Sequence, residues 1–170
     1  MTDDLFTIYP NSKAIENKST MEELGIKELK ARLFALLQKE ALKKGKFVLS
    51  SGRQSSYYLD GRVITLTPEG AILVASLILE MIKGRGIDAV GGPTLGADPI
   101  VGAVAVLSHI KNIPLKTFIV RKKAKEALDK EGLVADTAVV IVDRGEGAAL
   151  NLAGAGLKLE PIFKISDFGL

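Results

Sequence analysis

With 170 residues, of which 47% are hydrophobic, 25% charged and 5% aromatic, the chain is one domain's length built around an aliphatic core, which excludes disorder throughout. It has no cysteine, so disulfides, thiolate metal sites and a cysteine nucleophile are excluded, and its one histidine, His109, lacks a partner at ligand spacing and is expected to be structural or solvent-facing. The net charge is +3 with the excess gathered in Arg121, Lys122, Lys123 and Lys125; that run suits a small phosphorylated partner or a solvated strand terminus, and no aromatic residues interleave with it as nucleic-acid stacking would need.

In chain order, residues 1–20 are polar without a sustained period and read as an extended arm. From Met21 to Lys44 the apolar residues Leu29, Leu33, Leu36, Leu37 and Ala41 recur at helical spacing, and Gly45 is placed to end that amphipathic helix. Phe47–Leu49 and Tyr57–Leu59 read as two short antiparallel strands around a turn. Thr67 before Pro68 starts a helix whose run from Ala71 to Met81 is apolar enough to be largely buried, closed by Gly84 or Gly86.

Beyond that point strands and helices alternate. Ile87–Val90, Leu115–Val120, Ala138–Val142 and Leu159–Ile165 are predicted strands, with helices over Ala97–Ile110 and Glu146–Ala155, a pattern that implies an α/β fold with a parallel sheet. No apolar run reaches the roughly 18 residues of a membrane span, and the chain opens on Asp3 and Asp4 rather than on a basic and then apolar leader, so a cytoplasmic protein is expected.

Four segments carry candidate chemistry. Gly91-Gly92-Pro93-Thr94-Leu95-Gly96-Ala97-Asp98-Pro99 joins a strand to a helix, where glycines bring amides close to an anion or simply make a tight turn. Ser51 to Arg62 sets Arg53 and Arg62 around a hydroxyl-rich turn and the pair Tyr57-Tyr58, of which only one can face a given pocket. Arg121, Lys122 and Lys125 follow a parallel strand at the end where open α/β sheets bind ligands, and Asp143-Arg144-Gly145-Glu146-Gly147 follows another, as a further ligand contact or a surface turn.

Taken in this order, Phe47 to Arg62, Gly91 to Pro99, Val120 to Lys125, Val142 to Glu146 and Ile165 to Asp167 resemble the orotate phosphoribosyltransferases, members of the type I phosphoribosyltransferases, from about Leu24 to Phe168. The resemblance implies a parallel-sheet α/β domain over residues 21–170, with 21–66 and the C-terminal end forming a small helix-and-hairpin hood. It implies transfer of phosphoribosyl from phosphoribosyl pyrophosphate, with Mg2+, to orotate, giving orotidine monophosphate, in a homodimer. By the same resemblance Lys125 is catalytic on a mobile loop, Arg121, Lys122 and the turn at Gly96 bind pyrophosphate, and Tyr58 and Arg144 bind orotate. No residue is assigned as a metal ligand.

This chain departs from the family pattern in two places. Ser50 stands where members often have lysine. Between Glu126 and Ala127 the family carries the rest of its catalytic loop, a strand ending in two acidic residues and a Thr-Thr-Gly turn that holds the donor's 5′-phosphate. Here Lys125-Glu126 runs directly into Ala127-Leu128-Asp129, so a loop and a βα unit of ~30 residues or more are missing. Asp143 offers one acid, and Arg144 follows it in place of a second. The sheet is therefore expected to lack or rearrange a central strand, and turnover to be little or none. The alternative is a catalytically silent pyrimidine- or nucleotide-binding regulatory protein derived from the family.

Overall fold

The computed structural model describes residues 24–48, 52–113, 115–120, 132 and 134–170. Helix α1 spans Ile26–Leu36 and runs into a π-helical turn over Leu37–Ala41. Of its predicted stripe, Leu29, Leu33, Leu37 and Ala41 are buried and Leu36 is half-buried.

The helix stops at Ala41 rather than continuing to Lys44. The Ala41 carbonyl accepts from the amide of Asp60 at 3.1 Å, and the chain turns into strand β1, Leu42–Val48, paired antiparallel with β2, Gln54–Leu59. Cross-strand hydrogen bonding thus captures residues that helical periodicity alone assigns to α1. Gly45 does not end the helix; it lies in the irregularity between Lys44 and Phe47 where the register shifts.

A four-residue helix α2, Arg62–Thr65, precedes α3, Pro68–Ile82. Proline fits the first turn because its missing N–H has no helical partner there, and the Thr67 hydroxyl accepts from the Gly70 amide at 3.1 Å. Residues Leu73 to Leu79 of α3 are all buried, the densest part of the core.

The second half alternates as expected: β3 Ala89–Pro93, α4 Asp98–Ile110, β4 Lys116–Val120, β5 Thr137–Asp143, α5 Ala148–Gly154 and β6 Lys158–Lys164, followed by a 3-10 turn over Ile165–Phe168. Strand β3 starts and ends later than Ile87–Val90, taking in Gly91, Gly92 and Pro93. The strands pair in parallel, β3 with β4 and β5 with β6, but among the described residues these are two separate two-stranded sheets. Among the described residues no strand bridges the two pairs, as is expected of an α/β chain lacking a central strand. β5 shows the effect, since Ala138, Val139, Val140, Ile141 and Val142 are apolar on both faces, as suits a strand covered on both sides, yet every one is only half-buried.

Helices α1, α3 and α4 meet in one core with β6, through Leu33, Leu37, Leu73, Leu77, Val104 and Phe163. Among the described residues no helix is long and apolar enough to cross a membrane. His109 is exposed near the end of α4.

Candidate functional site

The first candidate element is the turn between β3 and α4. Gly91 and Gly92 belong to the strand, and packing requires them: a Cβ on Gly91 would overlap the Phe118 ring of β4, and one on Gly92 would meet Ala97 at 2.5 Å. The turn itself is Thr94 to Ala97, held by Thr94 N–H donating to the Val120 carbonyl and Ala97 N–H to the Pro93 carbonyl, both at 3.1 Å. Gly96 differs from its neighbours, because a Cβ there would meet nothing within 4 Å. Its backbone is open on the side facing away from the protein, next to the start of a 13-residue helix. Asp98 opens that helix, and its Oδ1 is buried without a hydrogen-bond partner among the described residues.

Strand β4 ends at Val120, registered with Pro93, and so brings the chain to the same turn. Arg121, Lys122 and Lys125 lie outside the described residues, as do Ser50 and the junction of Glu126 with Ala127.

The second element follows β5. The Asp143 Oδ1 accepts from the Gly145 amide at 2.9 Å, closing a tight turn around Arg144. Gly145 and Gly147 have φ of 70° and 94°, left-handed values that favour glycine, so both glycines of Asp-Arg-Gly-Glu-Gly are conformational requirements. Beside this turn is a cleft of about 240 Å3 lined by Val140, Val142, Asp143, Arg144, Glu146 and Asn151, at the C-terminal end of a parallel strand. One oxygen of Glu146, Oε2, accepts from Arg144 Nη2 and from Arg53 Nη2, each at 3.1 Å. Arg53 belongs to the turn between β1 and β2, so this carboxylate links the N-terminal hairpin to the end of β5.

Tyr58 lies on the exposed face of β2 and Tyr57 on the half-buried one, the alternation that the strand period demands. The Tyr58 ring sits 5.8 Å from that of Phe47. Tyr58 does not line the Arg144 cleft, so the two residues expected on one ligand occupy separate places. Arg62, near Tyr58, is engaged by Asp60 through two bonds of 2.9 and 2.7 Å. The Arg62 hydrogen bond holds the Asp60 carboxyl below its usual range, against the opposing effect of burial, and the Asp60 carboxylate raises the guanidinium in turn. Glu146, expected in the turn after β5 and at the start of a helix over 146–155, instead lies in the turn, and α5 begins at Ala148.

Among the described residues no group of three or more histidine, aspartate or glutamate side chains gathers to hold a metal. They do not fit a magnesium ion bound by protein ligands alone.

An open glycine turn at a helix start and an arginine-bearing cleft, each at the C-terminal end of a parallel strand, stand where open α/β proteins as a class take their ligands. No family model matches the chain. It is 35% identical to the orotate phosphoribosyltransferase of a Nostoc species, with 84% of this chain and 86% of the relative covered, and 34% identical to that of Rhodopirellula baltica, with 82% and 94% covered. Among solved structures it is similar to the orotate phosphoribosyltransferase of Mycobacterium tuberculosis in complex with inorganic phosphate (TM-score 0.72, 28% identity, 84% and 99% covered) and to the same enzyme in complex with 5-phospho-α-D-ribosyl 1-diphosphate (TM-score 0.69, 27% identity, 84% and 99% covered).

The chain belongs to the orotate phosphoribosyltransferase family, and its fold is that of the type I phosphoribosyltransferases. The Nostoc match extends over 178 positions while taking in 84% of a 170-residue chain, or about 143 residues, so about 35 positions have no counterpart here. That deficit agrees with the size of the segment missing by sequence comparison between Glu126 and Ala127.

Proposed function

We propose that this protein keeps the orotate-recognising part of an orotate phosphoribosyltransferase site, whose full reaction transfers phosphoribosyl from phosphoribosyl pyrophosphate to orotate to give orotidine monophosphate. The observation that supports this reading is Arg144 at the mouth of a cleft of about 240 Å3, where a guanidinium fork suits the orotate carboxylate. Tyr58 offers an exposed ring face for the pyrimidine. Gly96 offers open backbone to the pyrophosphate, and Arg121, Lys122 and Lys125, which follow β4, would neutralise the charge that builds on it as it leaves. Lys125 is the residue assigned to catalysis. Such catalysis is positioning and electrostatic stabilisation. Magnesium would enter with the donor's pyrophosphate rather than on side chains. A cytoplasmic homodimer is the expected setting, with no membrane or nucleic-acid partner.

The donor's 5′-phosphate and ribose hydroxyls have no counterpart motif in this sequence, so turnover is little or none. Pyrophosphate release measured with orotate, donor and magnesium checks this, and ordinary rates from this chain would refute it. The same missing segment favours the second reading, a silent pyrimidine- or nucleotide-binding regulatory protein. Calorimetry tests the second reading, which requires orotate or orotidine monophosphate to bind and the donor not to bind.

A further inference from the structure

Glu146 holds two cations from distant parts of the chain on a single oxygen, yet its side chain is 27% exposed against 42% for Arg144 and 64% for Arg53. The carboxylate is thus the least exposed of the three groups and the point at which both arginines meet. Gly145, in the left-handed conformation, turns the backbone between Arg144 and Glu146, and the Asp143 carboxylate locks that turn from the other side. Glu146 uses only one Arg144 nitrogen, Nη2, which leaves the rest of the planar fork for a second carboxylate.

We propose that Glu146 is a positioning residue for the pyrimidine: it aims the Arg144 guanidinium over the cleft and, through Arg53, ties the turn between β1 and β2 to the same point. The proposal rests on the reading that Arg144 receives the carboxylate of orotate. Glu146 itself touches no substrate. It sets a negative charge between the two guanidinium groups.

Charge and geometry make opposite demands here, and that makes the role testable. Asp143, Arg144, Glu146 and Arg53 sum to zero. Replacing Glu146 by glutamine makes the cluster positive, so if only net charge mattered an anion would bind more tightly. If Glu146 sets geometry, the same change weakens binding. Glu146→Asp keeps the charge and shortens the reach, so charge alone predicts no change and positioning predicts a loss.

The experiment is calorimetric titration of orotate into the full chain and its Glu146→Gln, Glu146→Asp and Arg53→Gln variants, with thermal melting by circular dichroism to confirm that each is folded. The expected result is a loss of roughly fivefold or more in affinity for both Glu146 variants, and a loss in the same direction for Arg53→Gln. Unchanged or tighter binding by a folded Glu146→Gln or Glu146→Asp variant overturns the positioning role while leaving Arg144 as the orotate contact. Should the unmodified chain bind neither orotate nor orotidine monophosphate, the site reading falls and the positioning role with it.

Discussion

Phe34 of α1 stacks on Phe168 at the C-terminal end of the chain with ring centroids 4.5 Å apart and planes 20° from parallel. Phe163 of β6 meets both rings edge-on, at 5.7 and 6.0 Å. The first helix is therefore fastened to the last strand by a three-ring cluster. Phe34→Leu keeps most of the apolar area and removes the ring geometry, worth about 0.5–1.5 kcal/mol for each pair beyond area burial. Urea unfolding should show a lower midpoint at unchanged slope, with a loss of about 1–3 kcal/mol for the two pairs.

Gly91 and Phe118 face each other across the β3–β4 pair with no room for a methyl group between them. Gly91→Ala forces the ring or the strand to move and should lower stability by about 1–3 kcal/mol. Phe118→Leu in the same chain frees that space, so the double variant should lose less than the two single losses added together. Equal and additive losses in denaturant melts would show that the contact does not govern this position.

Glu160 of β6 accepts from Lys158 at 2.8 Å and from Arg85, just after α3, at 2.7 Å. Hydrogen bonds from these two cations, Lys158 first, hold its carboxyl below the ordinary 4.5 despite the opposing effect of burial. The ionised form is favoured by folding, so this contribution is complete above about pH 4.5 and is lost as pH falls through the lower folded value. Asp60 behaves alike, its carboxyl held by Arg62 below 3.8. The melting temperature should fall on acidification below about pH 4.5, and Glu160→Gln should flatten the upper part of that fall.

Arg144 is the described cation with an open cleft beside it and a fork only partly engaged. A hydrogen bond to a charged group contributes about 1.5–3 kcal/mol. Arg144→Ala should therefore weaken orotate binding by about 10- to 100-fold in calorimetry. Arg62→Ala, whose guanidinium is already taken by Asp60, should leave it within about threefold.

Much of the α/β order was legible in sequence because periodicity is a local property. The stripe of α1, the proline start of α3, and the alternating strands and helices after Gly86 needed only spacing and turn residues. The errors fell where a distant strand competes with a local preference. Residues 42–44 continue a helical pattern, but pairing with Tyr57, Tyr58 and Leu59 makes them strand. Gly91 and Gly92 look like turn glycines, but Phe118 and Ala97 press against them inside the sheet.

By itself the sequence determined the family, the order of elements and the loss of a βα unit, since motif order and residue type are carried along the chain. It also marked Arg144 and Gly96, because strand ends and glycine turns have local signatures. Only the tertiary structure decided that the parallel strands separate into two pairs, that Tyr58 and Arg144 stand apart, and that Glu146 joins Arg144 to Arg53. Each of these depends on which distant segments come within hydrogen-bonding reach, and that is set by packing across the whole domain.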